Sequence, residues 1–204
     1  MKNVIILGAS GHAKVLAEIV VKSNDNLIGF LDDNEVLFNK DIYLDKRVLG
    51  NLNDITKYKD NYFIIGIGNN KIRKDISLKY NDLNWYNAIH PNAVIASDVK
   101  VGEGTVIMPG VVINPGTIIG KHCIINTSSS VDHDNIIGNF VHISPGAHLA
   151  GTVTVGEGTW ICMGVNVINN IKIGNNDIIG AGATVINDVL DDNKVYVGVP
   201  AKEI

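Results

Sequence analysis

Cysteine is scarce. Cys123 and Cys162 are the only two in 204 residues, too few for a disulfide framework and without metal-type spacing, which suits a reducing compartment. Aromatic residues make up only 6%, while isoleucine, valine and glycine are abundant, a balance that favours strands and tight turns over a helical bundle. Basic residues are not in excess: 17 Lys and Arg against 21 Asp and Glu give a net charge of −4, which argues against a nucleic-acid partner. Long hydrophobic runs are missing too. Met1-Lys2-Asn3 leads directly into Val4–Leu7, which is neither a secretory signal nor long enough to cross a membrane. The expectation is a cytoplasmic protein with no membrane insertion. With 46% hydrophobic and 19% charged residues, the chain reads as globular, one large domain or two small ones.

The first half alternates strand, turn and helix. Val4–Leu7 reads as a buried strand and is followed by Gly8-Ala9-Ser10-Gly11-His12, then by helical spacing over Ala13–Val21. Leu27–Leu31 and Tyr62–Ile67 read as further strands, ending at Asp32-Asp33 and at Gly68-Asn69-Asn70, with a helix over Lys71–Tyr80. This pattern predicts an α/β, Rossmann-like domain over residues 1–86, with ligands beyond the carboxyl ends of its strands.

The second half follows another rule. From Ile89 to Val185, every sixth residue is Ile, Val or Leu, seventeen positions without an insertion. Chance would produce such a run roughly once in 10⁸ trials. Four residues after each lies a mostly small column (Thr105, Val111, Thr117, Cys123, Ser129, Val141, Ala147), and Gly102, Gly120, Gly138, Gly156 and Gly174 recur with period eighteen. Period six fits neither an α-helix nor a heptad. It fits a triangular coil, three hexads per turn, with the aliphatic column inside. Residues 87–204 therefore read as an all-β, left-handed parallel β-helix of about five coils.

The hexads, with the closing Val197-Gly198-Val199-Pro200-Ala201-Lys202, resemble the hexapeptide-repeat acyltransferases. Gly8–His12, Phe30-Leu31-Asp32-Asp33 and Ile67–Asn70 resemble the N-terminal domain of the sialic-acid O-acetyltransferase (NeuD-type) family. Asn126–Ser129 with Asp132-His133-Asp134 resembles the catalytic loop of its sugar N-acetyltransferases, including those of the bacillosamine pathway. The resemblance implies acetyl transfer from acetyl-CoA, without a metal, to an amine or hydroxyl on a sugar.

His133 lies two residues beyond the interior Val131, on the outward part of its hexad, in the most polar stretch of the coil. A solvated corner histidine is the ordinary interpretation, but the flanking carboxylates and the resemblance favour a catalytic one. The resemblance implies His133 as general base, suited by a pKa near neutrality, with Asp134 as its partner where the bacillosamine enzymes carry glutamate. Gly151, eighteen residues on, sits one coil above His133 and is open to two interpretations: an amide for the developing oxyanion, or a corner glycine chosen for its dihedral angles. His142, half a turn away, cannot easily join His133 within one prism. The resemblance implies a homotrimer with sites between prisms, in which His142, Met163 and Ala181 contact acetyl-CoA. Gly164 and Gly182 stack with period eighteen and are open to two interpretations, a smooth channel for the pantetheine arm or structural corners. The resemblance further implies that Ser10, Gly11, His12, Asp32, Asp33, Gly68 and Asn69 hold a nucleotide-linked acceptor, although a solvated turn also accounts for Asp32-Asp33.

The expected activity is N-acetylation of a UDP-linked 4-amino sugar by direct attack on the thioester. O-acetylation of sialic acid or a related hydroxyl is the enzymatic alternative, and a trimeric scaffold the non-enzymatic one. Zinc enzymes of the γ-carbonic-anhydrase type share this β-helix, but His122, His133, His142 and His148 include no pair thirty-six residues apart.

Overall fold

The computed structural model describes all 204 residues. Strand β1 (Asn3–Leu7) is buried from Val4 onward and pairs in parallel with β2 (Asn26–Leu31) on one side. A hairpin of β3 (Asp41–Tyr43) and β4 (Lys46–Arg47) and a 3₁₀ turn at Leu52–Tyr58 precede β5 (Tyr62–Ile65), which pairs with the other side of β1. With β6 (Asn84–Trp85) the order is β2-β1-β5-β6, all parallel. Helix α1 (Gly11–Lys22) buries Ala13, Leu16, Ala17, Ile19 and Val20, the one-sided spacing expected of a helix packed on a sheet. Helix α2 (Asn70–Lys79) starts at Asn69, whose side chain accepts from the Ile72 amide at 3.0 Å.

Residues from Ala88 onward form a prism. Its three sheets hold eight, six and five strands, parallel except for the last strand of the chain, and each aliphatic-column residue ends one two-residue strand. Pairing runs at eighteen-residue offsets, as in Ile107 with Ile125 and Ile125 with Ile143. The column is buried from Ile107 to Val185, each side chain contributing about 1.5–3 kcal/mol. The coil is left-handed, as the repeat predicts. One face is taller than the expected five coils because the tail adds to it. Val195–Val197 continues the parallel ladder, and Lys202–Glu203 folds back antiparallel against it.

Two devices shape the corners. Two residues before the strand, most corners take a left-handed conformation, φ 52° at His122, 60° at Phe140 and 57° at Asp134, or carry a glycine such as Gly116 or Gly164. The second column is small because it sits against the next coil, and where it is polar it completes the backbone ladder. Thr105, Thr117, Asn135, Thr159 and Asp177 each accept the amide of a residue one coil up, at 2.9–3.3 Å. Asn135, the apparent misfit in this column, also donates to the Asp132 and Ala150 carbonyls at 2.7 and 3.0 Å.

The two halves share one hydrophobic core. Val4, Ile6, Leu16 and Val20 cluster with Ala88, Val106 and Ile124 of the prism. Helix α2 is tied to the same face: Asn70 donates to the Gly158 carbonyl at 2.8 Å and Lys74 pairs with Glu157 at 2.5 Å. The first sheet and the prism are thereby fixed to one another, with a cleft between them.

Candidate functional site

His133 and Asp134 stand on the corner between the six- and five-stranded sheets. Asp134 Oδ2 meets His133 Nδ1 at 2.9 Å, and both side chains are more than half exposed. Asp132 fixes the corner from beneath: its Oδ1 accepts the His133 amide at 2.8 Å and the Asn114 side chain at 2.7 Å. The Asn114 contact is the main reason the Asp132 carboxyl is held below its usual value. The Asp134 hydrogen bond raises His133 above the ordinary imidazole value, against the opposing effect of partial burial.

Two glycines sandwich this pair. The imidazole lies against Gly151 so closely that a methyl there would be 2.5 Å from both Cε1 and Nε2. The Asp134 carboxylate crowds Gly116, one coil below, in the same way. The Gly151 amide donates to nothing within the chain. With Nδ1 engaged by Asp134, Nε2 is the free nitrogen, on an open corner beneath the unpartnered Gly151 amide.

His142 is elsewhere, on the eight-stranded face. It lines a cleft of about 880 Å³ between the prism and α2, together with Gly68, Asn69, Lys71, Lys74 and Trp160. Its Nε2 lies 3.1 Å from the Asn126 amide nitrogen and its ring stacks on Trp160 at 6.0 Å. Burial, then the charge of Arg73, holds its pKa at about 3, so it is neutral. His12 is likewise lowered to about 4, by burial and then Arg73, and its Nε2 is buried without a partner.

The remaining expected residues fall into three groups. Gly164 and Gly182 stack one coil apart on the corner next to His142 with open space beside them, φ 68° and 70°, and Met163 is 61% exposed next to Gly164. Ala181 is stacked one coil above Met163, whose carbonyl accepts the Gly182 amide at 2.9 Å. This corner is not the one that carries His133 and Gly151. Asp32 and Asp33 line a smaller hollow of about 330 Å³ with Gly8, Ile67, Ile72 and Tyr80. Both also have local duties: Asp32 accepts the Ala9 and Asn34 amides at 2.8 Å, and Asp33 the Leu52 amide at 2.9 Å. Ser10 and Gly11 are exposed at the start of α1.

The structure adds residues the sequence reading passed over: Asn114, Gly116, Trp160 and Arg73. Asn114 and Gly116 lie eighteen residues before Asp132 and Asp134, so the arithmetic that found Gly151 one coil up would have found them one coil down. Arg73 had no such signal.

Comparison with known proteins bears on the same residues. The PglD N-terminal domain family matches residues 3–80, and the bacterial transferase hexapeptide (six repeats) family matches 86–115 and 98–133. A UDP-N-acetylbacillosamine N-acetyltransferase of Bacillus subtilis is 39% identical over 117 residues, 53% of this chain; the chain spans about half the length of that relative (52%). A GDP-perosamine N-acetyltransferase of Escherichia coli O157:H7 is 30% identical over 158 residues, 74% of this chain and 71% of the relative. Among solved structures, a perosamine N-acetyltransferase of Caulobacter crescentus, carrying a histidine-to-asparagine substitution and bound to CoA and GDP-perosamine, superposes with a TM-score of 0.93. It is 34% identical, over 100% of this chain and 97% of that one.

Proposed function

Because the chain belongs to the hexapeptide-repeat sugar acetyltransferases with a PglD-type N-terminal domain, we propose that it moves an acetyl group from acetyl-CoA to the amine of a nucleotide-linked 4-amino sugar. The observation that carries this reading is the His133–Asp134 pair, 2.9 Å apart on an open corner and pressed against Gly151. The nucleotide is taken as UDP, as in the Bacillus relative's substrate name, with GDP as the competitor that the other two relatives name.

In this mechanism Asp134 holds the Nδ1 proton and directs Nε2 at the acceptor. The neutral amine attacks the thioester carbon, its lone pair forming the new C–N bond. Nε2 takes a proton from the nitrogen as the intermediate forms, and the Gly151 amide stabilises the oxyanion. Collapse of the intermediate breaks the C–S bond, and the imidazolium returns its proton to the departing CoA thiolate. No covalent acyl-enzyme is called for, and the thiols are poorly suited to one. Cys123 is fully buried, its Sγ 3.0 Å from the Gly138 carbonyl and its pKa pushed up to about 12, while burial also raises Cys162.

The separation of His133 from the His142 cleft supports a homotrimer, in which the His133 corner of one prism faces the cleft of its neighbour. Gly68 and Asn69, which line the cleft, would then hold the acceptor, and binding that uncovers the buried, unpartnered Nε2 of His12 would give that atom a partner. Met163, Gly164, Ala181 and Gly182 supply a smooth wall for the pantetheine arm, with the acetyl group carried toward Gly151 of the adjoining corner. No helix is long and apolar enough to cross a membrane, and a cytoplasmic site for the reaction accords with its need for acetyl-CoA.

The test is thiol release from acetyl-CoA with UDP- and GDP-linked 4-amino sugars and sialic acid, for the native protein and His133→Ala. Turnover with the amino sugars that His133→Ala abolishes is the expected result. Turnover with sialic acid alone would move the acceptor to a hydroxyl. Absence of both turnover and acetyl-CoA binding would leave only the scaffold.

A further inference from the structure

Arg73 is buried to 1% exposure, the largest of the fully buried side chains, and no carboxylate pairs with it. Every contact it makes is to a neutral oxygen. Nε donates to the His122 carbonyl at 2.7 Å, and one terminal nitrogen donates to Gly68 at 3.1 Å and more weakly to Ile67 at 3.4 Å. The other donates to Phe140 at 2.8 Å and to Asn70 Oδ1 at 3.0 Å. One planar group thus spans two elements. His122 and Phe140 are equivalent corners on successive coils of the prism, and Ile67–Asn70 is the turn that leads into α2.

An apolar side chain could join the two domains without desolvating a cation. The guanidinium supplies something further, a fixed orientation for the turn. A planar trans peptide aims its N–H opposite its C=O. With the Ile67 and Gly68 carbonyls drawn inward to Arg73, the Gly68 and Asn69 amides face away from it, and neither donates to any group within the chain. Both residues line the 880 Å³ cleft.

We propose that Arg73 is a positioning residue for the acceptor: it seats the Ile67–Asn70 turn on the prism so that the turn's free amides present to the acceptor's diphosphate. This rests on the reading above that Gly68 and Asn69 face the nucleotide-linked acceptor. The charge of Arg73 also adds to burial in keeping His142, which lines the cleft, and the buried His12 neutral, so the one group bears on both the shape and the electrostatics of that side of the site.

The test is calorimetric binding of UDP, GDP and acetyl-CoA, each alone, to the full chain and to Arg73→Lys and Arg73→Gln, with thermal melting alongside. A lysine retains the charge but cannot reach the turn and both corners at once. Loss of one charge-assisted contact set predicts nucleotide binding weakened about tenfold in Arg73→Gln, and by less in Arg73→Lys, with acetyl-CoA affinity within about twofold. Melting temperatures that fall while nucleotide affinity holds would make Arg73 a structural bolt and overturn the proposal. So would nucleotide and acetyl-CoA affinities that fall together, or absence of nucleotide binding by the native chain. If Arg73→Gln does not fold, the split in Arg73→Lys decides. Because the readout is binding, lack of turnover with any acceptor would count against the acetyltransferase reading without touching this one.

Discussion

Gly151→Ala isolates the geometry of the proposed base. The backbone at Gly151 lies outside the left-handed region, so alanine is tolerated there without dihedral strain. The three atoms nearest the added methyl all belong to His133, Cε1 and Nε2 at 2.5 Å and Nδ1 at 3.1 Å. Carbon atoms pack at about 3.5–4.0 Å, so the ring must retreat by roughly 1 Å. His133 is 56% exposed and free to swing outward, which keeps the cost to folding small. The retreat carries Nε2 away from the amide that is to hold the oxyanion and strains the 2.9 Å bond to Asp134. A misplacement of about 1 Å costs on the order of 10²-fold in rate. The expected outcome is a fall of that size in kcat in the thiol-release assay, with KM for acetyl-CoA little changed and melting within about 2 °C of the native protein. A kcat within twofold of native, on a normally folded protein, would refute the placement of the chemistry at this corner. A loss confined to KM for acetyl-CoA would refute the assignment of the methyl's effect to His133.

The other outcomes concern charge, burial and assembly. Asp134 is the largest cause of the raised pKa of His133, and a base must be unprotonated to act, so Asp134→Asn moves the acid limb of the kcat/KM profile to lower pH while lowering its plateau. An unshifted limb would detach Asp134 from the base. Asp177 is fully buried, its Oδ2 is unpartnered, and burial raises its carboxyl above the usual range. The native state therefore holds this proton more tightly than the unfolded chain, and stability falls as pH rises from the unfolded value through the raised one. Asp177→Asn, which keeps the shape and accepts the same Lys194 amide, should melt higher than native at pH 8 and show less advantage at pH 4. Finally, His133→Ala and His142→Ala, each inactive alone, should complement when unfolded together and refolded. In random trimers about a quarter of the interfaces pair an intact His133 with a neighbour's intact His142. Recovery near a quarter of native activity is expected, and none would place both histidines in one prism.

Periodicity alone makes the prism legible in the sequence. A strict six-residue aliphatic column admits one architecture, and its arithmetic stacks Gly151 on His133 because coil spacing is fixed by backbone pairing. The same arithmetic run downward gives Gly116 beneath Asp134 and Asn114 beneath Asp132, so both positions are legible in the repeat. The N-terminal elements were legible through hydrophobic runs and turn residues. The β3–β4 hairpin and the two-residue β6 were not, because segments so short and so polar carry no periodic pattern.

Arg73 was illegible for a different reason. It sits in a helix with five charged residues, Lys71, Arg73, Lys74, Asp75 and Lys79, and the other four reach outward or make ion pairs. What selects Arg73 for burial is the presence, across the interface, of two prism corners whose carbonyls His122 and Phe140 point at α2. Those carbonyls are turned by left-handed corners eighteen residues apart, while Arg73 is 49 and 67 residues away in sequence. A local pattern can report that a side chain is charged. Only the docked surfaces report that the charge has somewhere to go. The same holds for the cleft itself: His142 and Trp160 are stacked one coil apart by the repeat, but Gly68 and Asn69 share no spacing with them and meet them only because α2 is pinned to the eight-stranded face. In this chain the repeat fixes distances within the prism, and the buried cation fixes the one distance the repeat cannot, that between the turn proposed to hold the acceptor and the coil that stands beside it.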